Sequence, residues 1–123
     1  MKAKILVIED NEQNMYLATF ILEKYDYLVI QAHDGVEGIE LARQHKPDLI
    51  LLDIQLPIMD GYTVARELRK NGALAKTPII AVTSYAMPGD EENALDAGCS
   101  GYIEKPINPE AFITQIRQYL EAQ

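Results

Sequence analysis

Short apolar runs alternate with segments of helical periodicity five times along this chain. The run at residues 49–52 is apolar at every position, as expected for a strand that is buried on both faces. Regular alternation of strands and helices favours a parallel sheet covered by helices on both faces. The pattern therefore predicts an α/β fold, a doubly wound five-stranded parallel sheet built from five βα units.

Local signals mark the ends of the predicted helices. The first helix is expected to begin near Asn11, and Asn108 is expected to cap the fifth. Gly72 is placed to end the third helix, and Pro88 suits the first turn of the fourth. Large apolar residues are sparse between residues 84 and 100, so the fourth helix is expected to be weakly anchored and comparatively mobile.

Four of the apolar runs end in side chains that can take part in chemistry. The carboxyl ends of parallel strands meet at the same edge of a sheet, where open α/β folds bind their ligands. The runs and the residues that follow them are 5–8 before Glu9 and Asp10, 49–52 before Asp53, 79–82 before Thr83, and 101–104 before Lys105. Three carboxylates, a hydroxyl and an ammonium at one edge would bind a divalent cation and a phosphoryl group together.

The three acidic residues suit Mg²⁺. Crowded carboxylates repel and raise one another's pKa, and a bound cation relieves that repulsion. Mg²⁺ prefers octahedral oxygen ligation, typically by one or two carboxylates together with waters and phosphate oxygens. Taken singly, Glu9 and Asp10 also fit an ordinary loop and helix start, so the expectation depends on Asp53 lying beside them.

Asp53 is also a candidate nucleophile. Carboxylates attack phosphorus to form acyl phosphates, and the transferred group needs charge compensation on its oxygens. Lys105 and Mg²⁺ would supply positive charge, and Thr83 would supply a hydroxyl donor. Taken alone, Lys105 also fits a solvent-exposed lysine and Thr83 a plain strand residue, and only the combination favours chemistry.

Composition narrows the class of protein. A length of 123 residues suits one domain, predicted to span residues 1–123 with no output domain. No apolar run approaches about 20 residues and no signal peptide is apparent, so we expect a cytoplasmic protein that does not enter membranes. The net charge is −8 and Lys and Arg are not clustered, which argues against nucleic-acid binding. Cys99 is expected to be a small buried filler.

Four short motifs together resemble those of response-regulator receiver domains of two-component signalling. They are Glu9-Asp10-Asn11, Asp53 with Pro57 and Asp60-Gly61, Thr83-Ser84, and Lys105-Pro106. The resemblance extends over nearly all of the chain. The chain is similar to stand-alone, single-domain regulators of the DivK and CheY type, and some segments also resemble receivers attached to hybrid histidine kinases. The resemblance implies a flavodoxin-like (βα)5 fold with strand order 2-1-3-4-5.

The resemblance implies a role for each residue at the strand ends. Asp53 would accept a phosphoryl group from a histidine kinase or a histidine phosphotransfer protein. The implied Mg²⁺ ligands are Glu9, Asp10, Asp53 and the backbone carbonyl of Gln55. Thr83 would hydrogen-bond the phosphoryl group, and Lys105 would pair with it. The protein would catalyse only its own phosphorylation and dephosphorylation and would not otherwise be an enzyme.

The resemblance also implies a switch. Tyr102 would turn inward when Thr83 moves toward the phosphate, although a half-buried strand aromatic is the simpler interpretation of Tyr102 alone. The surface formed by the fourth helix, fifth strand and fifth helix would then change its affinity for a downstream protein, as a population shift between two packings. The bond before Pro106 is a candidate cis peptide, and the protein would be a monomer or a weak homodimer.

Other functions compete with a terminal switch. A phosphorelay shuttle would pass the phosphoryl group onward to a histidine phosphotransfer protein. A phosphatase of the haloacid-dehalogenase type would need a second acid where Gln55 stands, and an FMN-binding protein would need a Ser/Thr/Gly-rich loop where residues 10–14 are acidic and lack glycine. Bulky Tyr85, two residues after Thr83, motivates the further hypothesis of slow dephosphorylation.

Overall fold

The computed structural model describes residues 2–84, 87–105 and 107–121. Within these ranges five strands alternate with five α-helices, and a short 3₁₀ helix precedes the fourth strand. The elements are β1 (Lys4–Ile8), α1 (Glu12–Lys24), β2 (Leu28–Ala32), α2 (Gly35–His45), β3 (Leu49–Asp53), α3 (Gly61–Arg69), the 3₁₀ helix (Gly72–Leu74), β4 (Ile79–Thr83), α4 (Asp90–Asp96), β5 (Gly101–Glu104) and α5 (Pro109–Glu121). The hypotheses for Tyr85 and Pro106 fall on residues outside those described.

All neighbouring strands are parallel, and their order across the sheet is β2-β1-β3-β4-β5. The predicted flavodoxin-like fold and its strand order are therefore confirmed. β3 lies at the centre of the sheet, where Leu51 is opposite Val7 of β1 on one side and Ile80 of β4 on the other. The chain changes direction across the sheet between β1 and β3, which is where doubly wound folds form their binding crevice.

Strand alternation divides the core into two layers, because successive side chains point to opposite faces of a sheet. Ile50 and Leu52 of β3 pack in a cluster with residues of α2, α3 and α4. Leu49 and Leu51 pack on the other face with residues of α1 and α5. Every residue of β3 is buried, which confirms the expectation drawn from its apolar run. Among the described residues, no helix is long and apolar enough to cross a membrane.

Polar side chains fix where most of the helices begin. Asn11 caps α1 through a 2.9 Å bond from the Asn14 amide, and Asn108 accepts from the Ala111 amide at 3.1 Å before α5. The cap at Asn108 confirms the sequence prediction, and α1 begins at Glu12, as expected. Asp60 caps α3 in the same way, with a 3.0 Å bond to its Oδ1. Each cap satisfies a backbone donor that the first turn of a helix leaves unpaired.

Two predicted helix boundaries, the end of the third helix and the start of the fourth, are wrong by a few residues. The helix α3 ends at Arg69, because the Lys70 amide already closes its last turn, and Gly72 instead opens the 3₁₀ helix. Pro88 lies outside α4, whose capping residue is Gly89 with a φ of 89°. Within the seven-residue α4 only Ala94 is buried, as expected for weak anchoring, and its mobility stays a prediction. Cys99 is buried, as predicted.

Candidate functional site

The strand-end side chains lie at one edge of the sheet, as the order of the strands requires. Asp53 and Thr83 are the last residues of β3 and β4, and Lys105 directly follows β5. Backbone bonds carry the strand pairing up to this edge, because the Glu9 amide donates to the Ala32 carbonyl at 3.0 Å and the Lys105 amide donates to the Thr83 carbonyl at 2.7 Å. The backbone positions of the site are therefore fixed by the sheet itself.

Three carboxylates form an acidic cluster at this edge. One oxygen from each of Glu9, Asp10 and Asp53 lies within 4.8 Å of the others. Glu9 and Asp53 are buried, whereas Asp10 is exposed to solvent. Hard oxygen donors at this spacing fit Mg²⁺, which takes a small number of carboxylates and completes its shell with waters. The sequence prediction that these residues converge is therefore met in the fold.

Lys105 faces two of these carboxylates. Its Nζ donates to Glu9 Oε1 at 2.5 Å and lies 3.6 Å from Asp53 Oδ2. The ammonium is largely buried, with 10% of its side chain exposed. A positive charge is thus placed beside Asp53. The direct bond to Glu9 was not foreseen, because residues 96 positions apart carry no spacing signal.

Burial makes the acidic cluster hard to ionise fully. The pKa of Glu9 is raised to about 7, chiefly because burial disfavours its charged form. Its hydrogen bond and charge interaction with Asp53 raise the pKa further, while Lys105 lowers it. Lys105 alone therefore does not offset the crowding of negative charge. A divalent cation among the three carboxylates would do so.

The loop after β3 is shaped by close backbone contacts. Asp53 Oδ1 accepts a 2.8 Å bond from the Gln55 amide, and Gln55 Oε1 accepts from the Ser84 amide at 3.2 Å. Gly61 returns against this loop, and its amide donates to the Ile54 carbonyl at 3.2 Å. A Cβ on Gly61 would collide with Ile54 Cα and would lie 2.8 Å from the Asp53 carbonyl oxygen. The glycine of the Asp60-Gly61 motif is thus required for the approach of α3 to the site.

Thr83 and Tyr102 lie on the neighbouring strands. Thr83 is fully buried and follows Val82, the residue of β4 that pairs with Asp53. Tyr102 is half-buried and packs against the core cluster on the α4 side of the sheet. Its hydroxyl is buried and has no hydrogen-bond partner among the described residues. The phosphoryl-binding role expected of Thr83 and the switch role expected of Tyr102 stay predictions.

An apolar cavity of about 90 Å³ adjoins the acidic cluster between α1 and α5. Asp53 and Lys105 form part of its lining, and Leu17, Ile107 and Phe112 contribute apolar walls. The sequence did not reveal this cavity, since it is enclosed by residues from both ends of the chain.

Fold and site together define a class: a doubly wound α/β protein with an acidic cation site and a lysine at the carboxyl edge of its sheet. The sequence model described as the response regulator receiver domain matches residues 5–117. The chain therefore belongs to the receiver domain family, and it functions as a phosphorylation-dependent switch in two-component signalling. Family membership also means signalling rather than classical enzyme catalysis.

Individual relatives agree with this assignment. The chain is 45% identical over 120 residues to the polar-differentiation response regulator DivK of Brucella anthropi, with 98% of each protein covered. The receiver domain of the sensor histidine kinase PA1611 from Pseudomonas aeruginosa superposes with a TM-score of 0.92 at 33% identity, over 98% of this chain and 99% of that one. Vibrio cholerae CheY4 also gives 0.92, at 26% identity over 97% and 99%. The PA1611 domain carries a magnesium ion in its active-site cleft.

Proposed function

We propose that Asp53 is the phosphoryl acceptor of this receiver domain. The observation that carries the proposal is the placement of the Lys105 ammonium 3.6 Å from Asp53 Oδ2, beside a cluster of three carboxylates. An Asp53 oxygen would attack the phosphorus of a phosphohistidine in a kinase or a phosphotransfer protein. The P–O bond forms as the P–N bond breaks, and the imidazole leaves with the electron pair.

Glu9, Asp10, Asp53 and the backbone carbonyl of Gln55 are the proposed holders of Mg²⁺. The ion supplies positive charge next to the incoming phosphoryl oxygens when it is bound. Lys105 would turn from Glu9 toward the phosphoryl group, a short movement given its present distance from Asp53. The hydroxyl of Thr83 would donate to a third phosphoryl oxygen. These residues together compensate the charge that phosphorylation brings to the edge of the sheet.

The proposed output is a change in the surface formed by α4, β5 and α5. Phosphorylation draws Thr83 toward Asp53, and Tyr102 on the adjacent strand follows it inward. α4 responds because only Ala94 of its seven residues is buried, so few packing contacts resist its displacement. We propose that the 123 residues act as one receiver domain and that a partner protein binds the changed surface.

Phosphoryl transfer from acetyl phosphate tests the acceptor. With Mg²⁺ present, intact-protein mass spectrometry is expected to show one added phosphoryl group per chain, and chelation of the metal should abolish it. Asp53→Asn should prevent the modification. Asp26→Asn serves as the matched control, because Asp26 is exposed and its φ of 70° is one that asparagine tolerates. Full modification of the Asp53→Asn protein would refute the assignment.

A relay intermediate is the alternative to a terminal switch. The relatives of this protein include a receiver domain that belongs to a sensor histidine kinase. Mixing the phosphorylated protein with a histidine phosphotransfer domain distinguishes the two roles. A relay protein would transfer its phosphoryl group to that domain, whereas a terminal switch would retain it.

A further inference from the structure

The surface formed by α4, β5 and α5 carries unpaired negative charge. Residues 87–104 contain five acidic residues and neither Lys nor Arg. Two exposed glutamates elsewhere have cations on their own helices, Glu40 with Arg43 at 2.6 Å and Glu67 with Lys70 at 2.8 Å. Among the described residues, the carboxylates of Glu91, Glu92 and Glu104 have no such partner within 4.0 Å; every ion pair found there is formed by other residues.

The same surface is concave and partly apolar. An open groove of about 490 Å³ lies between α4 and β5, and a second of about 410 Å³ lies between β5 and α5. Tyr102 lines both grooves and separates them. Met87 is 62% exposed and Leu95 is 50% exposed along the first groove. Apolar walls with a charged rim are the usual composition of a protein-binding surface.

The charge of this surface restricts what can occupy it. A second copy of the chain that met this surface through a two-fold axis would bring two identical acidic surfaces together, and like charges would repel. Nucleic acids and anionic membranes carry the same sign of charge and are excluded for the same reason. A cationic partner gains attraction to three unpaired carboxylates and covers the exposed apolar side chains.

We propose that the surface formed by α4, β5 and α5 binds a basic amphipathic segment of a partner protein. Apolar side chains of that segment occupy the two grooves on either side of Tyr102, and its Lys or Arg residues pair with Glu91, Glu92 and Glu104. The proposal names the class of partner that reads the switch proposed above, and in that respect it rests on the proposed function. Electrostatic attraction would also speed the encounter at low ionic strength.

Binding of a labelled amphipathic peptide of lysine and leucine tests the proposal. Fluorescence anisotropy is expected to show saturable binding, weaker at high salt, and an analogue with glutamate in place of lysine should not bind. Glu91→Gln with Glu104→Gln should weaken binding about tenfold, equivalent to about 1.4 kcal/mol. The matched control is Glu23→Gln with Glu40→Gln, which removes the same charge from exposed sites on other helices.

Three results would overturn the proposal: equal weakening in the two double variants, equal binding of the glutamate peptide, or amide NMR shifts that map away from residues 87–104. Concentration-dependent dimerisation through the same amides would also overturn it, in favour of a second copy. Phosphoryl acceptance by the native protein, measured separately, distinguishes failure of this inference from failure of the proposed function. Peptide binding without phosphoryl acceptance by the native protein refutes only the function, and phosphoryl acceptance without peptide binding refutes only the partner class.

Discussion

The carboxyl group of Glu9 is the most electrostatically strained group at the site. It is buried beside Asp53, and its bond to Lys105 does not hold its pKa down. Since its pKa in the folded protein is about 7 against an ordinary 4.5, the folded state binds a proton more tightly than the unfolded chain does. The free energy of unfolding therefore falls as the pH rises from the ordinary pKa of 4.5 through about 7.

Replacement of Glu9 by glutamine should remove this penalty. We expect Glu9→Gln to stabilise the metal-free protein by on the order of 1–2 kcal/mol at pH 8, and to give little gain at pH 5. Urea unfolding in the presence of a chelator measures both values. Glu23→Gln, at an exposed position on α1, should leave stability unchanged at both pH values. A loss of stability at pH 8 would show that the bond to Lys105 outweighs the burial of charge.

At the scale of elements, a side chain of α3 helps to attach α4. The Tyr62 hydroxyl donates to Asp90 Oδ1 at 3.1 Å, and Asp90 Oδ2 accepts from the Met87 amide at 2.8 Å. Burial and the Asp90 carboxylate raise the pKa of Tyr62 to about 12, so the hydroxyl keeps its proton at physiological pH. This bond joins α3 to the first turn of the helix that the proposed switch displaces.

Loss of that hydroxyl should loosen α4. Tyr62→Phe is expected to reduce the free energy of unfolding by about 1 kcal/mol and to speed hydrogen exchange at the amides of α4. Tyr119→Phe is the matched control, because the Tyr119 hydroxyl donates at 3.2 Å to the Ser100 carbonyl, which lies outside α4 and directly before β5. Unchanged exchange in α4 would mean that other contacts hold the helix.

Arg69 connects elements at the opposite edge of the sheet. Its guanidinium donates to the carbonyls of Leu74, Thr77 and Gly98 at 2.6–2.8 Å. The pKa of Arg69 is lowered by burial, yet these carbonyls satisfy its donors. The side chain therefore ties α3 to the segments before β4 and β5.

For the whole molecule, the proposed cation site couples metal binding to folding. Its carboxylates come from the ends of β1 and β3, which are separated by more than 40 residues of chain. An unfolded chain does not hold them together, so Mg²⁺ would bind the folded state selectively and stabilise it.

Mg²⁺ should therefore raise the thermal unfolding midpoint of the entire domain. At a concentration one hundred times the dissociation constant, the expected stabilisation is about 2.7 kcal/mol. Differential scanning calorimetry with and without a chelator measures the shift, and Asp26→Asn should retain it. Asp10→Asn should reduce it, because one ligand charge is lost. An identical midpoint in Mg²⁺ and in chelator would contradict the site.

The linear order of residues determined the elements and the chemistry at their ends. Apolar runs of strand length bury their side chains in a sheet that is covered on both faces. The polar residues that directly follow these strands must then lie at the edge of the sheet. This is why Asp53, Thr83 and Lys105 could be predicted as neighbours without coordinates. The capping residue Asn108 and the start of α1 near Asn11 were equally predictable, because helix-start signals act within one turn of the helix.

Only the tertiary structure decided which groups meet across the sheet and how their charges balance. The Glu9–Lys105 bond, the link from Tyr62 to Asp90 and the grooves beside Tyr102 each join residues far apart in sequence. Their geometry depends on side-chain rotamers and on packing between elements, which local spacing does not specify. The sequence thus identified the candidates for chemistry. Packing in three dimensions determined their burial, their pKa values and the shape of the surface beside Tyr102.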